Sequence, residues 1–168
     1  MSLNFDLQES LYMLDSEELK LIQTNSVNKN QLAFAVMLKF FQAECRYPTS
    51  QDTIEPTVLY SIAQQLNLTT VSSLEQPSLE TRTAARFRQI IREFLGYRIA
   101  TLSDAETLVS WLMKQAKNGP YTLPQYREKV SQFFREHKLE LFTSEQIDRY
   151  IRSALDQFEK QFFANIVK

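Results

Sequence analysis

Apolar positions along this chain recur at three- and four-residue intervals, and nowhere do several residues alternate as a half-buried strand requires. The densest segment holds Leu32, Ala33, Phe34, Ala35, Val36, Met37, Leu38, Phe40 and Phe41. It is apolar around almost the whole circumference of a helix, the pattern of a buried central element. Its spacing predicts a helix over residues 28–45, capped by Asn28. Before it, Asp15 or Ser16 caps a short helix to about residue 23, with Glu17 and Glu18 complementing the positive end of the helix dipole. After it, Tyr47-Pro48 ends the pattern, because a residue before proline is pushed towards extended geometry. Pro56 opens the next helix, with Val58, Leu59, Ile62, Ala63 and Leu66 as its stripe, and Asn67 supplies a left-handed stop.

Residues 69–78 are rich in Ser and Thr and contain Pro77, and they read as a linker. Ser78 then caps a helix to Leu95 that Gly96 stops, with Phe87, Ile90, Ile91 and Phe94 inward. Ser103 caps a helix through Asn118, with Ala105, Leu108, Val109, Leu112 and Ala116 on one face, ended by Gly119-Pro120. Residues 123–137 carry Tyr126, Val130, Phe133 and Phe134 at helical spacing. Thr143 and Gln146 form a capping box for a last helix of about 23 residues, roughly 35 Å long at 1.5 Å per residue. Its stripe (Ile147, Ile151, Leu155, Phe158, Phe162, Ile166) continues to the end of the chain, as in a piece of a longer protein. The expected architecture is all-α, with two small helical subdomains over residues 1–72 and 76–168 and a short Ser/Thr/Pro linker between them. No internal repeat is evident.

Composition narrows the chemistry. Gly96 and Gly119 are the only glycines among 168 residues, so the Gly-rich phosphate loops, the dinucleotide fingerprint and the nucleophile elbow are excluded. One cysteine, Cys45, excludes an internal disulfide framework and fits a reducing compartment. With a single histidine, His137, a zinc site has too few ligands. His137 reads instead as a cap interaction at a helix C-terminus. The longest apolar run, residues 32–38, is far short of the roughly 20 residues of a membrane span, and residues 1–5 carry no signal-peptide pattern. A cytoplasmic, non-catalytic domain is the expectation.

Charge then singles out one segment. Residues 82–98 hold five arginines, Arg82, Arg86, Arg88, Arg92 and Arg98, against one acid, Glu93. On a helix, Arg88 and Arg92 lie at one edge of the polar face and Arg82 and Arg86 at the other. Like charges four residues apart cost a few tenths of a kcal/mol, which an anionic partner offsets. Arginine suits phosphate because its planar fork donates two parallel hydrogen bonds. The competing reading is a solvated face paired with acids such as Asp104 and Glu106. The net charge of −1 also hides a segregation: residues 1–60 carry 4 basic and 8 acidic residues, residues 61–168 carry 15 and 12.

Four blocks of the sequence resemble, in order, the N-terminal region of TnpA transposases of the Tn-three family. They are residues 30–39 (Asn30-Gln31-Leu32-Ala33-Phe34-Ala35-Val36-Met37-Leu38-Lys39), Arg46-Tyr47-Pro48, Ala63-Gln64-Gln65-Leu66, and the arginine segment from Arg82-Thr83 to Leu95-Gly96-Tyr97-Arg98. The resemblance spans roughly residues 13–160. It departs at Ala33, Cys45 and Asn67, where family members often carry glycine; asparagine tolerates the same left-handed geometry.

The resemblance implies helix-turn-helix-like modules that bind double-stranded DNA at the transposon's terminal inverted repeats, joined to the remainder of a replicative transposase in the bacterial cytoplasm, at the nucleoid. It places the Mg²⁺-binding catalytic triad in a distant C-terminal part to which nothing here corresponds. This chain is therefore expected to bind DNA without cutting it, with no cofactor of its own, no small-molecule substrate and no membrane. Phosphates would be held by Arg82, Arg86, Arg88, Arg92 and Arg98, with Lys114, Lys117, Arg127 and Lys129 as further contacts. In the first subdomain Lys29, Asn30, Gln31, Thr49, Ser50 and Gln51 lie near helix starts, suited to phosphate or base edges. The rival expectation is a helical assembly domain without DNA contact.

Overall fold

The computed structural model describes residues 10–68 and 81–167. Among them are seven helices: α1 (Ser16–Asn25), α2 (Lys29–Glu44), α3 (Pro56–Gln65), α4 (Arg82–Leu95), α5 (Leu102–Ala116), α6 (Leu123–Glu136) and α7 (Ser144–Ile166). Two strands of two residues, β1 (Arg98–Ile99) and β2 (Leu139–Glu140), pair in parallel, Arg98 opposite Leu139. The fold is all-α, as the periodicity predicts. The chain divides into two compact units, Met1–Leu95 and Gly96–Lys168.

In the first unit α2 is the axis around which the others pack. Leu32 to Lys39 and Phe41 are all buried, so α1, α3 and α4 each take one side of it. Helix α4, assigned to the second subdomain by the sequence pattern, belongs here: the Phe87 ring meets Phe34 edge-on at 4.7 Å, and the Tyr47 hydroxyl donates to the Arg88 carbonyl at 2.8 Å. Apolar area on Phe87, Ala84 and Ile91 outweighs chain proximity to α5. The linker expected over 69–78, and Ser78 as a cap, lie outside the described residues.

One buried residue of α2 is charged. Lys39 Nζ sits 2.7 Å from Glu18 Oε2, with both side chains almost fully enclosed. The same carboxylate accepts from Gln42 at 2.8 Å and from the Asp15 amide at 3.1 Å, while Asp15 Oδ1 accepts from the Glu18 amide at 2.8 Å. Asp15, not Ser16, is thus the cap, and Glu18 closes the α1 capping box while neutralising the lysine.

In the second unit α5 packs chiefly on α7 and α6 closes the bundle. Leu108, Leu112, Tyr126, Val130, Phe133, Phe134, Leu139, Ile147 and Ile151 form its core. Three capping boxes set the helix starts, at Thr101 with Asp104, Thr122 with Gln125 and Thr143 with Gln146. Thr101 replaces Ser103 as the α5 cap, because Asp104 three residues on can reach back to the Thr101 amide, at 2.7 Å. Asn28 precedes α2 without a side-chain cap bond, its backbone at φ 52°. Asn67 takes the left-handed stop after α3, at φ 56°.

Breaking a buried pair leaves an uncompensated charge, a loss of about 3–5 kcal/mol. Glu18→Ala is accordingly expected to lower stability by that order in urea denaturation followed by circular dichroism, whereas Glu17→Ala, exposed one position earlier, changes it by less than about 0.5 kcal/mol. Adding Lys39→Met to Glu18→Ala recovers most of the loss; a double variant as weak as the single would show the lysine charge is not what Glu18 balances.

Candidate nucleic-acid interface

Helix α4 is fixed through one side and free on the other. Thr81 Oγ1 accepts from the Ala84 amide at 3.0 Å at its start, and Ala84, Phe87 and Ile91 are buried. Arg82, Thr83, Arg86 and Gln89 are exposed, and Arg88 and Arg92 are half-buried along the margin of the core. Arg86 reaches back to the Asn25 carbonyl at 3.5 Å, and Gln89 donates to Glu93 at 3.1 Å. The two pairs differ in burial: Arg82 and Arg86 lie on the open side, not at an edge of the polar face, and Arg88 and Arg92 lie against the core margin.

Arg98 stands apart. It lies on β1 beyond Gly96, whose φ of +72° turns the chain out of α4. Its guanidinium grips Asp104 with two hydrogen bonds, at 2.7 and 2.8 Å, and Thr101 N and Oγ1 donate to the same carboxylate at 2.7 and 2.8 Å. The first unit contains the same device. Cys45 turns the chain at φ 57°, Arg46 grips Asp52 at 2.9 and 2.9 Å, and Thr49 N and Oγ1 donate to Asp52 at 2.8 and 3.1 Å. Arg46, Thr49 and Asp52 correspond to Arg98, Thr101 and Asp104 at one constant separation along the chain. This Arg-x-x-Thr-x-x-Asp clamp is a local repeat that hydrophobic spacing does not reveal; the recurring triplet is the signal that would have found it.

The remaining candidates are distributed as follows. Arg127 pairs with Asp148 at 2.8 and 2.7 Å, tying α6 to α7. Lys129 lies 4.4 Å from the Tyr121 ring centre and donates to Gln115 at 3.3 Å. Lys114 and Lys117 are exposed at the end of α5. Lys29 and Asn30 are exposed at the start of α2, while Gln31 donates to the Ser26 carbonyl at 3.2 Å. Thr49 is engaged in its clamp, and Ser50 and Gln51 stand exposed beside it. Lys29, Asn30, Gln31, Thr49, Ser50, Gln51, Arg82, Arg86, Arg88 and Arg92 fall in the first unit, the others in the second. His137 stacks on Phe133 at 4.0 Å with Nδ1 2.8 Å from the Phe133 carbonyl, at the end of α6. Among the described residues no group of three His, Cys, Asp or Glu is placed to hold a metal ion, and no helix is long and apolar enough to cross a membrane.

A family model described as "Domain of unknown function (DUF4158)" matches residues 3–154. No curated protein matches the chain.

The clamps make an acid-dependence prediction. Arg46 hydrogen bonds, supported by Thr49 and only partly opposed by burial, hold the Asp52 carboxyl well below the usual carboxylate range. A group depressed in the folded state contributes stability above its unfolded pKa of about 3.9, and that contribution disappears as pH falls through the folded value. Arg46→Met is expected to cost about 1 kcal/mol at pH 7, the scale of a half-exposed pair, and to flatten the fall in urea midpoint between pH 5 and the acid limit. A wild-type pH slope retained in Arg46→Met would mean that other carboxylates set it.

Proposed function

The chain belongs to the DUF4158 family, and we propose that it is a double-stranded-DNA-binding module, acting at the terminal inverted repeats of a mobile element as the N-terminal region of a replicative transposase. The observation that carries this reading is the pair Arg82 and Arg86, exposed one turn apart on a helix whose other face is anchored by Phe87, Ala84 and Ile91. Like charges four residues apart on a helix repel in water, and a polyanion offsets that repulsion. The resemblance of residues 30–39, 46–48, 63–66 and 82–98 to the transposase N-terminal region supports the same assignment.

In this reading Arg82, Arg86 and Lys29 hold phosphates in the first unit and Lys114 and Lys117 do so separately in the second, while helices present polar side chains to base edges. Arg98 and Arg127 contribute less, because each is already engaged by a carboxylate. Their exchange of Asp104 or Asp148 for a phosphate returns little net free energy. Strand cleavage and its Mg²⁺ belong to a catalytic part of the parent protein, and the setting is the bacterial nucleoid.

A second reading, a surface for assembly with other parts of a transposase, is favoured by one observation. The last turns of α7 leave Phe162, Phe163, Ile166 and Val167 exposed, between 54% and 87%, beyond the point where Ile147, Ile151 and Ala154 are buried. Contiguous apolar exposure of that kind marks an interaction site.

A gel-shift titration distinguishes the two. Binding to inverted-repeat duplex is expected to weaken steeply with salt, and Arg86→Ala to reduce affinity about tenfold at low salt and lower the slope of log K against log salt by about 1. No preference for the repeats over random duplex would sink the inverted-repeat assignment. For the assembly reading, Phe162→Ser with Ile166→Ser is expected to abolish any self-association or capture of transposase fragments seen in sedimentation without DNA, leaving the helical signal intact; unchanged association would exclude that surface.

A further inference from the structure

We propose that α3 is the helix with which the first unit reads DNA sequence, through Thr57, Tyr60 and Gln64; this rests on the DNA-binding reading above and adds to it the element that confers specificity. Helix α3 buries Leu59, Ile62 and Ala63, and Leu66 follows them into the core. The opposite row, Thr57, Tyr60 and Gln64, is exposed. Tyr60 and Gln64 lie three and seven residues beyond Thr57, so the three share one face of the helix.

Every member of that row can hydrogen-bond and none is charged. Among the seven described helices α3 alone contains no charged residue, in a chain whose charged fraction is 23%. An ordinary solvent face would carry charged side chains, as the outer faces of α1, α4, α5, α6 and α7 do. Carboxylates on a groove-facing surface are repelled by phosphates on both sides. Lysines there read guanine but also add an attraction to the flanking phosphates that is the same for every sequence. A neutral row of amide, hydroxyl and phenol matches instead the donors and acceptors on base edges: Gln64 can pair with adenine N6 and N7, and Thr57 offers a hydroxyl and a methyl group. Tyr60, 57% exposed, presents an apolar ring with a polar tip, suited to a thymine methyl beside a hydrogen-bond acceptor.

The row is also held rigidly, which base reading requires. At the far end Gln65 Oε1 accepts from the Leu14 amide at 2.7 Å and its Nε2 donates to the Tyr12 carbonyl at 3.1 Å. At the near end Pro56 pre-sets the first turn, and the Arg46–Thr49–Asp52 clamp fixes the loop that leads into it. The clamp also neutralises Asp52, leaving Glu55, the N-cap residue, as the carboxylate closest in sequence to the row. The row runs away from it towards Gln64.

The test uses the full chain and a pool of DNA duplexes with a randomised core. Wild type is selected against the pool, and affinities of wild type and of Thr57→Ala with Gln64→Ala are measured on the selected duplex and on its scrambled counterpart at one salt concentration. Both side chains are exposed, so the double variant is expected to keep the wild-type melting temperature. Its preference for the selected duplex is expected to fall about tenfold or more, with affinity for the scrambled duplex unchanged within about twofold. Arg86→Ala provides the opposite pattern, weakening both duplexes together. A double variant that keeps the wild-type preference, or loses affinity equally on both duplexes, overturns the assignment of α3 while DNA binding stands. A wild-type chain that enriches no sequence and binds no duplex removes both.

Discussion

The first unit depends on how one buried cation is neutralised. Apolar contact is non-directional, and α2, buried along most of its length, would accept a partner helix at many angles. Lys39 removes that freedom. Its ammonium group is enclosed by the core and needs an anion within hydrogen-bond reach, so α1 must sit where Glu18 meets it at 2.7 Å. Because the Glu18 carboxylate also receives the Asp15 amide and Gln42, the start of α1 and the fourth turn of α2 are linked through the same two oxygens. With one side of α2 taken in this way, the apolar faces of α3 and α4 fill the others, and Phe87 against Phe34 brings the arginine helix to its place.

Placement then decides which arginines are available. Arg46, Arg98 and Arg127 each hold a carboxylate in a two-pronged grip, and their charge serves the fold: two close loops after left-handed residues, and the third braces α6 against α7. Arg82 and Arg86 project from the open side of α4. Counting arginines overstates the surface offered to an anion, since a guanidinium already bonded to an aspartate has spent its best geometry. The recurrence of the Arg-x-x-Thr-x-x-Asp clamp shows the same solution to the same local problem, holding the chain between the end of one helix and the start of the next.

The outer faces of the helices differ in chemistry. Those of α4 to α7 are charged, that of α3 is neutral and hydrogen-bonding, and the last turns of α7 are apolar. A surface that varied only to stay hydrated would not sort itself so. Charged, neutral and apolar faces suit respectively a phosphate backbone, base edges and another protein, and this division underlies the assignments made for each.

Much of the local architecture was legible in the residues. Helical periodicity, Pro56 at a first turn, the Thr143–Gln146 box, the Asn67 stop and Gly96 after Leu95 all act within four residues of chain, so their physics is complete in the sequence. The buried circumference of α2 was equally readable, because an all-apolar helix has nowhere else to go. What the sequence did not contain were pairings over distance. The attachment of α4 to the first unit, the Lys39–Glu18 contact and the choice of Asp148 by Arg127 depend on which surfaces meet after folding. Even the α5 cap moved from Ser103 to Thr101 because Asp104 answers Thr101 and grips Arg98 at once. Local propensity names the helices; only tertiary structure decides which charges find each other, because charge pairing is a matter of separation in space and the chain specifies separation only along itself.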